Sequence, residues 1–268
     1  MNGGGLITSE QSTIELSTAT VRLNYSARTE VGSVRKINED SILSQSPVFL
    51  VADGMGGHSQ GEVASETVLR VFDEHIERDV PSTPERILDA IHSSNDAVRD
   101  LSTVDDYGTA VSGTTLAGIA FVDAGDEAGC HWMAFNVGDS RIYTFTDGVL
   151  AQLSEDHSAV QEMVDAGLIT AEAAAVHPER NVITRAIGAA EFVDADVWLI
   201  PALGTQAFLI CSDGLTKELD DAAIVRVLTV DRRLDAAGRS VADLLVDAAI
   251  VHGGRDNVSA IYVESVLG

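Results

Sequence analysis

The chain has few of the residues that mark several protein classes. Only two of its 268 residues are cysteine and five are proline. Cys130 and Cys211 lie in apolar runs, which indicates buried thiols and a reducing compartment rather than a disulfide framework. No stretch approaches the roughly 20 apolar residues that span a bilayer. Residues 1–18 lack the basic start and apolar centre of a signal peptide. We therefore expect a cytoplasmic protein without a membrane span, in which residues 1–18 form a flexible leader.

Basic residues are also scarce. Lysine and arginine number 17 against 42 aspartates and glutamates, which gives a formal net charge of −25. Nucleic acids and anionic membranes bind to positive surfaces, so this balance argues against both as main partners. A phosphate-bearing substrate would be repelled as well, unless bound divalent cations reverse the potential locally.

The hydrophobic pattern predicts strands and helices in one domain over residues 19–268. Helical spacing recurs over 63–76, 84–101, 221–230 and 241–251. Strands are predicted near 19–24, 46–52, 114–122, 130–137, 141–145, 149–153, 197–200, 207–211 and 258–263. Runs of hairpins flanked by helical pairs favour an α+β layered sandwich over a doubly wound parallel sheet.

Several acidic residues stand at the ends of predicted strands. They are Asp53, Asp139 and Asp213 after strands, and Glu39, Asp40 and Asp256 before them. A carboxylate at such a place is costly unless it is paired or bound to a metal. Oxygen ligands suit Mg²⁺ and Mn²⁺. Each Asp-Gly pair alone reads equally as a turn, which is how we interpret Asp147-Gly148. Taken together, the acids make metal catalysis a hypothesis.

Six motifs in order resemble those of the PPM (PP2C-type) protein phosphatases, in their bacterial form. They are GSVRKINEDS at 32–41, VADGMGGH at 51–58, SGTT at 112–115, NVGDSRIY at 136–143, CSDGLT at 211–216 and GGRDNV at 253–258. The resemblance covers residues 25–263. It implies a four-layer α-β-β-α sandwich, with two central antiparallel sheets flanked by helices and with metals in a cleft at one end.

The resemblance also implies roles for individual residues. Asp53 would bridge two core Mg²⁺ or Mn²⁺ ions, and Gly54 would lend its carbonyl oxygen. Asp213 and Asp256 would complete the shell of the first ion, and Glu39 and Asp40 would support the second. Asp139, together with Asp213, would hold a possible third ion. Arg35 would grip the phosphate of a phosphoserine or phosphothreonine.

The expected chemistry is hydrolysis without a covalent enzyme intermediate, because two adjacent cations lower the pKa of a bridging water that then attacks phosphorus. Met55 stands where eukaryotic members carry a histidine that is often assigned as the general acid. His58 is the candidate for that role here, and a loop histidine bonded to backbone is the alternative. Residues 157–188 correspond to a flap beside the cleft, where His177, Arg180 and Arg185 are either substrate contacts or solvated charges.

The partners implied by the resemblance are phosphorylated proteins, including a bacterial Ser/Thr kinase or its substrates. A cysteine-dependent phosphatase with Cys211 as nucleophile is a rival. It needs an arginine six positions later, where this chain has Lys217, and an apolar run raises the pKa of a thiol. A second rival is an inactive relative that binds phosphoproteins, although the acid set is complete. A calcium-binding protein of the EF-hand type is a third possibility, but this sequence lacks the 12-residue calcium loop of that class.

Overall fold

The structure, a computed structural model, describes residues 7–17, 19–56, 60–101, 103–105, 108–110, 112–125, 129–235 and 237–268. Its strands in chain order are β1 (Ile7–Glu15), β2 (Thr20–Glu30), β3 (Asp40–Gln45), β4 (Val48–Met55), β5 (Thr103–Asp105), β6 (Gly108–Ala110), β7 (Gly113–Thr114), β8 (Leu116–Asp123), β9 (Cys130–Val137), β10 (Arg141–Thr146), β11 (Val149–Gln152), β12 (Asp196–Pro201), β13 (Thr205–Cys211) and β14 (Val258–Leu267).

The helices lie between the strands in the sequence, and several of them are only about one turn long. They are α1 (Gln60–His75), α2 (Pro84–Arg99), α3 (Ala159–Asp165), α4 (Ala171–Ala174), α5 (Asp213–Thr216), α6 (Asp221–Arg226), α7 (Arg232–Leu234) and α8 (Val241–His252), with a π-helical turn at Val227–Asp231 between α6 and α7. Local sequence explains their starts. Thr83 caps α2 by accepting a hydrogen bond from the Arg86 N–H, and Pro84 occupies its first turn. Ser240 and Asp243 form a capping box at α8.

The strands form two larger antiparallel sheets and a small hairpin. The first sheet has the order β1-β2-β14-β13-β10-β11. The second has the order β12-β9-β8-β4-β3, with β7 paired to β4, and β5 pairs with β6. The predicted hairpin at Asp147-Gly148 is confirmed, because Thr146 pairs with Val149 across it. The β8–β9 hairpin is confirmed as well, with Asp123 paired to Cys130.

Three apolar layers hold the four structural layers together. Between the sheets, large side chains meet from both faces, among them Phe49, Trp132 and Phe208. The outer face of the second sheet packs on α1 and α2, as in the stacked pair of Phe72 and Phe135. The outer face of the first sheet packs on α6 and α8. The α+β fold expected from the sequence, a four-layer α-β-β-α sandwich, is therefore confirmed.

The prediction of a flexible leader is wrong for residues 7–15. They form β1, which pairs with β2 along its length, from Ile7 with Arg28 to Glu15 with Thr20. Ile14 is fully buried in the layer between the sheets. The segment is rich in glycine and hydroxyl residues and has few apolar ones, so its local pattern does not indicate a strand. Residues 1–6 and 18 of that segment lie outside the described residues.

The other boundary differences are small. The strand expected at 19–24 is the second of the chain and extends to Glu30. The last strand extends to Leu267 rather than ending at 263. A single domain over 19–268 with a flap at about 157–188 stays a prediction. Within the described ranges, no helix is both long enough and apolar enough to cross a membrane.

Candidate functional site

Asp40 connects the two sheets at the edge where the motifs meet. It opens β3 in the second sheet and lies opposite Asp53 of β4. Its Oδ2 accepts hydrogen bonds from the hydroxyls of Ser212 and Ser259, at 2.7 Å each. Both serines belong to the side of the first sheet, next to β13 and on β14. Burial raises the pKa of Asp40 to about 7, although the two serine hydrogen bonds act in the opposite direction.

Asp53 lies inside β4 rather than just beyond it, as the sequence had suggested. Its backbone N–H donates to Thr115 Oγ1 at 2.9 Å, and Thr115 Oγ1 lies 2.7 Å from Ser140 Oγ. These contacts join three of the motifs into one structure. Burial, followed by the charges of Asp40 and Asp213, raises the pKa of Asp53 well above its usual value. Asp53 is therefore surrounded by like charge.

Asp213 and Asp256 approach each other around one ammonium group. Asp213 is the first residue of α5, and Asp256 precedes β14. Lys217 Nζ lies 2.5 Å from Asp213 Oδ2 and 3.1 Å from Asp256 Oδ2. Burial lowers the pKa of Lys217, but the attraction of Asp213 and Asp256 outweighs it and the net shift is upward. Burial raises the pKa of Asp213 in spite of this neighbour.

Arg35 reaches the same group of acids from the loop before β3. Its Nη2 lies 2.8 Å from Asp256 Oδ1, and its Nη1 lies 3.8 Å from Glu39 Oε2. Burial opposes the shift, but Lys217 and Arg35 lower the pKa of Asp256. Asn257 fixes this loop, because its Nδ2 donates to the carbonyl oxygens of Val31 and Ile37. The predicted phosphate clamp is thus held beside the predicted metal ligands.

Asp139 completes the group of acids from the turn after β9. It is 7% exposed. Burial, together with Asp213, raises its pKa to about 7. Three carboxylates here have a buried Oδ1 without a hydrogen-bond partner among the described residues, namely Asp40, Asp139 and Asp213. A buried, unsatisfied carboxylate oxygen is costly and requires a cation or a proton.

Two glycines of the motifs are required by close packing. A methyl group on Gly54 would overlap the backbone oxygen of Gly61 at the start of α1. A methyl group on Gly214 would overlap the backbone oxygen of Asn257. The Gly54 N–H donates to the Glu39 carbonyl at 3.0 Å. The absence of side chains at these positions lets three chain segments approach the acids closely.

The remaining predicted residues divide into two groups. His58 lies outside the described residues, so its predicted role stays a prediction. In the segment 157–188, Arg185 pairs with Asp196 at 2.8 Å, and the Arg180 side chain donates to the His177 carbonyl. Arg185 is therefore engaged at the second sheet, whereas Arg180 makes a local contact within its own loop.

The donor set at this edge suits hard divalent cations. It consists of carboxylate and carbonyl oxygens, the ligands that Mg²⁺ and Mn²⁺ prefer. The partnerless oxygens of Asp40, Asp139 and Asp213 would gain partners from such ions. Among the residues that the structure describes, no three acidic, histidine or cysteine side chains already have the geometry of a ligand set. Asp213 and Asp256 pair with Lys217 instead, and Asp256 also pairs with Arg35.

Three residues of this site were missed as functional by the sequence reasoning. Lys217 stands where a cysteine phosphatase needs arginine, and the sequence indicates no other role for it. Ser259 has no signal beyond its place in the last strand. Asn257 lies within a motif that implies no role for it. The rival nucleophile Cys211 is fully buried, and burial raises its pKa to about 12. A thiol with that pKa is a poor nucleophile at neutral pH.

Comparison with known proteins places this geometry in a family. Residues 34–245 match the family described as Protein phosphatase 2C. The serine/threonine protein phosphatase PstP of Mycobacterium tuberculosis is 34% identical over 253 residues, which are 94% of this chain and 46% of PstP. This chain therefore spans about half the length of that relative. The serine/threonine phosphatase stp of Listeria innocua is 33% identical over 257 residues, covering 90% of this chain and 95% of stp.

A solved structure has the same fold. The catalytic domain of the phosphatase PstP in complex with two manganese ions superposes with a TM-score of 0.76 at 31% identity, covering 92% of this chain and 99% of that domain. This chain belongs to the protein phosphatase 2C family.

Proposed function

We propose that this chain is a metal-dependent protein phosphatase that hydrolyses phosphoserine and phosphothreonine in proteins. The observation that carries the proposal is a buried group of carboxylates, Asp40, Asp139 and Asp213, each with an oxygen that has no hydrogen-bond partner among the described residues. A group of this kind needs cations, and a chain of net charge −25 needs them again to admit a phosphate. The two manganese ions in the related PstP domain support the same conclusion.

The residues of this chain divide between metal and substrate. Asp53 and the Gly54 carbonyl would serve two core ions, Asp213 and Asp256 the first, and Glu39 and Asp40 the second. Asp139 would join Asp213 at a third. The proposed ions are Mg²⁺ or Mn²⁺.

Bound divalent cations would supply an activated water and neutralise phosphate oxygens. The protein residues do the rest. Ser212 and Ser259 donate to Asp40 Oδ2 and so favour the ionised form of the carboxylate, which is the form that would bind a cation. Arg35, 49% exposed at its side chain, can turn N–H groups of its fork toward a phosphate. His58 is the proposed proton donor to the leaving serine or threonine oxygen.

The proposed setting follows from the same chemistry. The substrates would be phosphorylated proteins in the cytoplasm, among them a bacterial Ser/Thr kinase or its targets. The formal net charge of −25 argues against nucleic acids as partners. The segment 157–188 would form a flap beside the cleft, in which Arg185 is paired with Asp196.

The test is phosphate release from a phosphothreonine peptide with Mn²⁺, in the wild type and in Asp53→Asn. We expect the variant to lose at least about 100-fold in kcat, because removal of one electrostatic stabiliser of a transition state costs that much. Asp147→Asn is the matched control, since Asp147 belongs to the β10–β11 turn and should keep full activity. Equal rates for wild type and Asp53→Asn would overturn the mechanism. Tight peptide binding without turnover would instead identify an inactive phosphoprotein-binding relative.

A further inference from the structure

Lys217 is held to the candidate metal centre by two ion pairs. Its Nζ lies 2.5 Å from Asp213 Oδ2 and 3.1 Å from Asp256 Oδ2. The first pair follows from local structure, because Asp213 and Lys217 are four residues apart along α5 and therefore lie on one helix face. The second pair spans 39 residues of sequence and depends on the approach of α5 to the start of β14.

Basic side chains contact both carboxylate oxygens of Asp256. Lys217 contacts Oδ2, and Arg35 Nη2 contacts Oδ1 at 2.8 Å. Two basic side chains of the protein thus bind the two carboxylates that we propose for the first ion.

An ammonium group and a divalent ion would compete for these oxygens. Asp213 and Asp256 each direct Oδ2 at the same nitrogen, so an ion held by the same two oxygens would meet the charge of Nζ there. The repulsion between the two cations would oppose binding of the ion.

We propose that Lys217 is a built-in competitor of the first divalent cation, holding Asp213 and Asp256 together in the metal-free protein and withdrawing when the ion binds. This inference rests on the proposed function for the identity of the metal ligands. The lysine side chain suits such a role, because its four-carbon stem is flexible and its head is 35% exposed, so that it can swing into solvent.

Arg35 contacts the other oxygen of Asp256, so an ion held by the Oδ2 pair would leave this contact in place. Lys217 is therefore the basic side chain that limits the affinity for the metal.

The first test measures metal affinity without any assay of activity. Mn²⁺ is titrated into metal-stripped wild type, Lys217→Met and Lys36→Met by calorimetry. Lys36 and Lys217 are the two lysines of the chain, and the exposed Lys36 lies beside Arg35. It is therefore a control for the loss of one positive charge near the site. We expect Lys217→Met to bind the tightest ion about tenfold more strongly than the wild type, and Lys36→Met to stay within about twofold.

The outcomes separate this inference from the proposed function. If the wild type binds Mn²⁺, Asp213→Asn loses that binding and Lys217→Met matches the wild type, the competitor role is overturned and the metal centre stands. If the wild type does not bind Mn²⁺, the metal centre itself is wrong, and this inference falls with it.

A second measurement on the wild type covers the case in which Lys217→Met does not fold. An amine-reactive reagent is applied to the metal-stripped protein with and without Mn²⁺, and modification is read by peptide mass spectrometry. We expect modification of Lys217 to rise at least about threefold with Mn²⁺, because its amine leaves the two ion pairs, while that of Lys36 stays constant. Unchanged modification of Lys217 under saturating Mn²⁺ would overturn the proposal.

Discussion

Asp40 and Asp53 face each other as directly paired residues on the neighbouring strands β3 and β4. Two like charges at opposing positions of an antiparallel pair destabilise a sheet. Here the pair is tolerated because Asp40 also accepts hydrogen bonds from Ser212 and Ser259. The two carboxylates therefore require bound cations or protons to offset their charge.

Removal of a hydroxyl from Asp40 should weaken metal binding. Ser212→Ala and Ser259→Ala each delete a 2.7 Å hydrogen bond to Oδ2, and bonds to charged groups are worth about 1.5–3 kcal/mol. We expect the pKa of Asp40 to rise further and Mn²⁺ affinity at pH 7 to fall about tenfold, as measured by calorimetry. Ser265→Ala, on the same strand as Ser259, is the control. Equal affinity in all three variants would contradict the role given to these serines.

The metal-free protein should become less stable as pH rises from about 4 through 7. Burial raises the pKa of Asp40 and of Asp139 from 3.8 to about 7 in the folded state. In this window the folded state binds more protons than the unfolded state, so the free energy of unfolding falls with pH by about 1.4 kcal/mol per unit for each extra proton.

The measurement is urea unfolding in the presence of a chelator at pH 5 and pH 7.5. Other titrating groups contribute to the absolute slope, so the comparison is with Asp40→Asn, which cannot ionise and should lose less stability between the two values. Asp147→Asn should follow the wild type. Parallel profiles for the wild type and Asp40→Asn would show that Asp40 does not titrate as described.

Arg35 should act on substrate binding. Arg35→Ala removes a forked donor that we propose for the phosphate, at a cost of about 1.5–3 kcal/mol, and the expected loss in kcat/KM is about 10- to 100-fold, mainly through KM. Arg35→Lys should recover only part of it, since an ammonium lacks the fork. Arg70→Ala, from an exposed pair with Glu74 on α1, serves as control. An unchanged KM for the phosphopeptide in Arg35→Ala would refute the clamp.

Strand β1 should contribute to stability as an integral part of the first sheet. Ile14 is fully buried between the sheets, and truncation of such a side chain costs about 2–5 kcal/mol. We expect Ile14→Ala to lose that amount in urea unfolding. Val149→Ala, at a strand position that is 65% exposed, should lose less than about 1 kcal/mol. Equal stability of both variants would indicate that β1 is detached in solution.

The sequence determined more of the fold than of the site geometry. Alternation and helical spacing are local signals, so strands such as β4, β8 and β9 and the start of α2 at Thr83-Pro84 could be predicted with small boundary errors. The order of hairpins and helical pairs also indicated the layered α+β class. Residues 7–15 were missed because they contain few apolar residues, so that the local signal for a strand is weak.

For the site, the sequence indicated which acids take part but not how they contact the rest of the protein. The identities of Asp40, Asp53, Asp139, Asp213 and Asp256 could be selected from the sequence, because each falls within a motif that resembles those of the PPM phosphatases. Only the tertiary structure decided that Ser259 serves Asp40 from the other sheet, across 219 residues of sequence, and that Lys217 lies between Asp213 and Asp256. Such pairings depend on how two sheets and a short helix pack. Packing is a property of the whole chain that no local pattern of residues encodes.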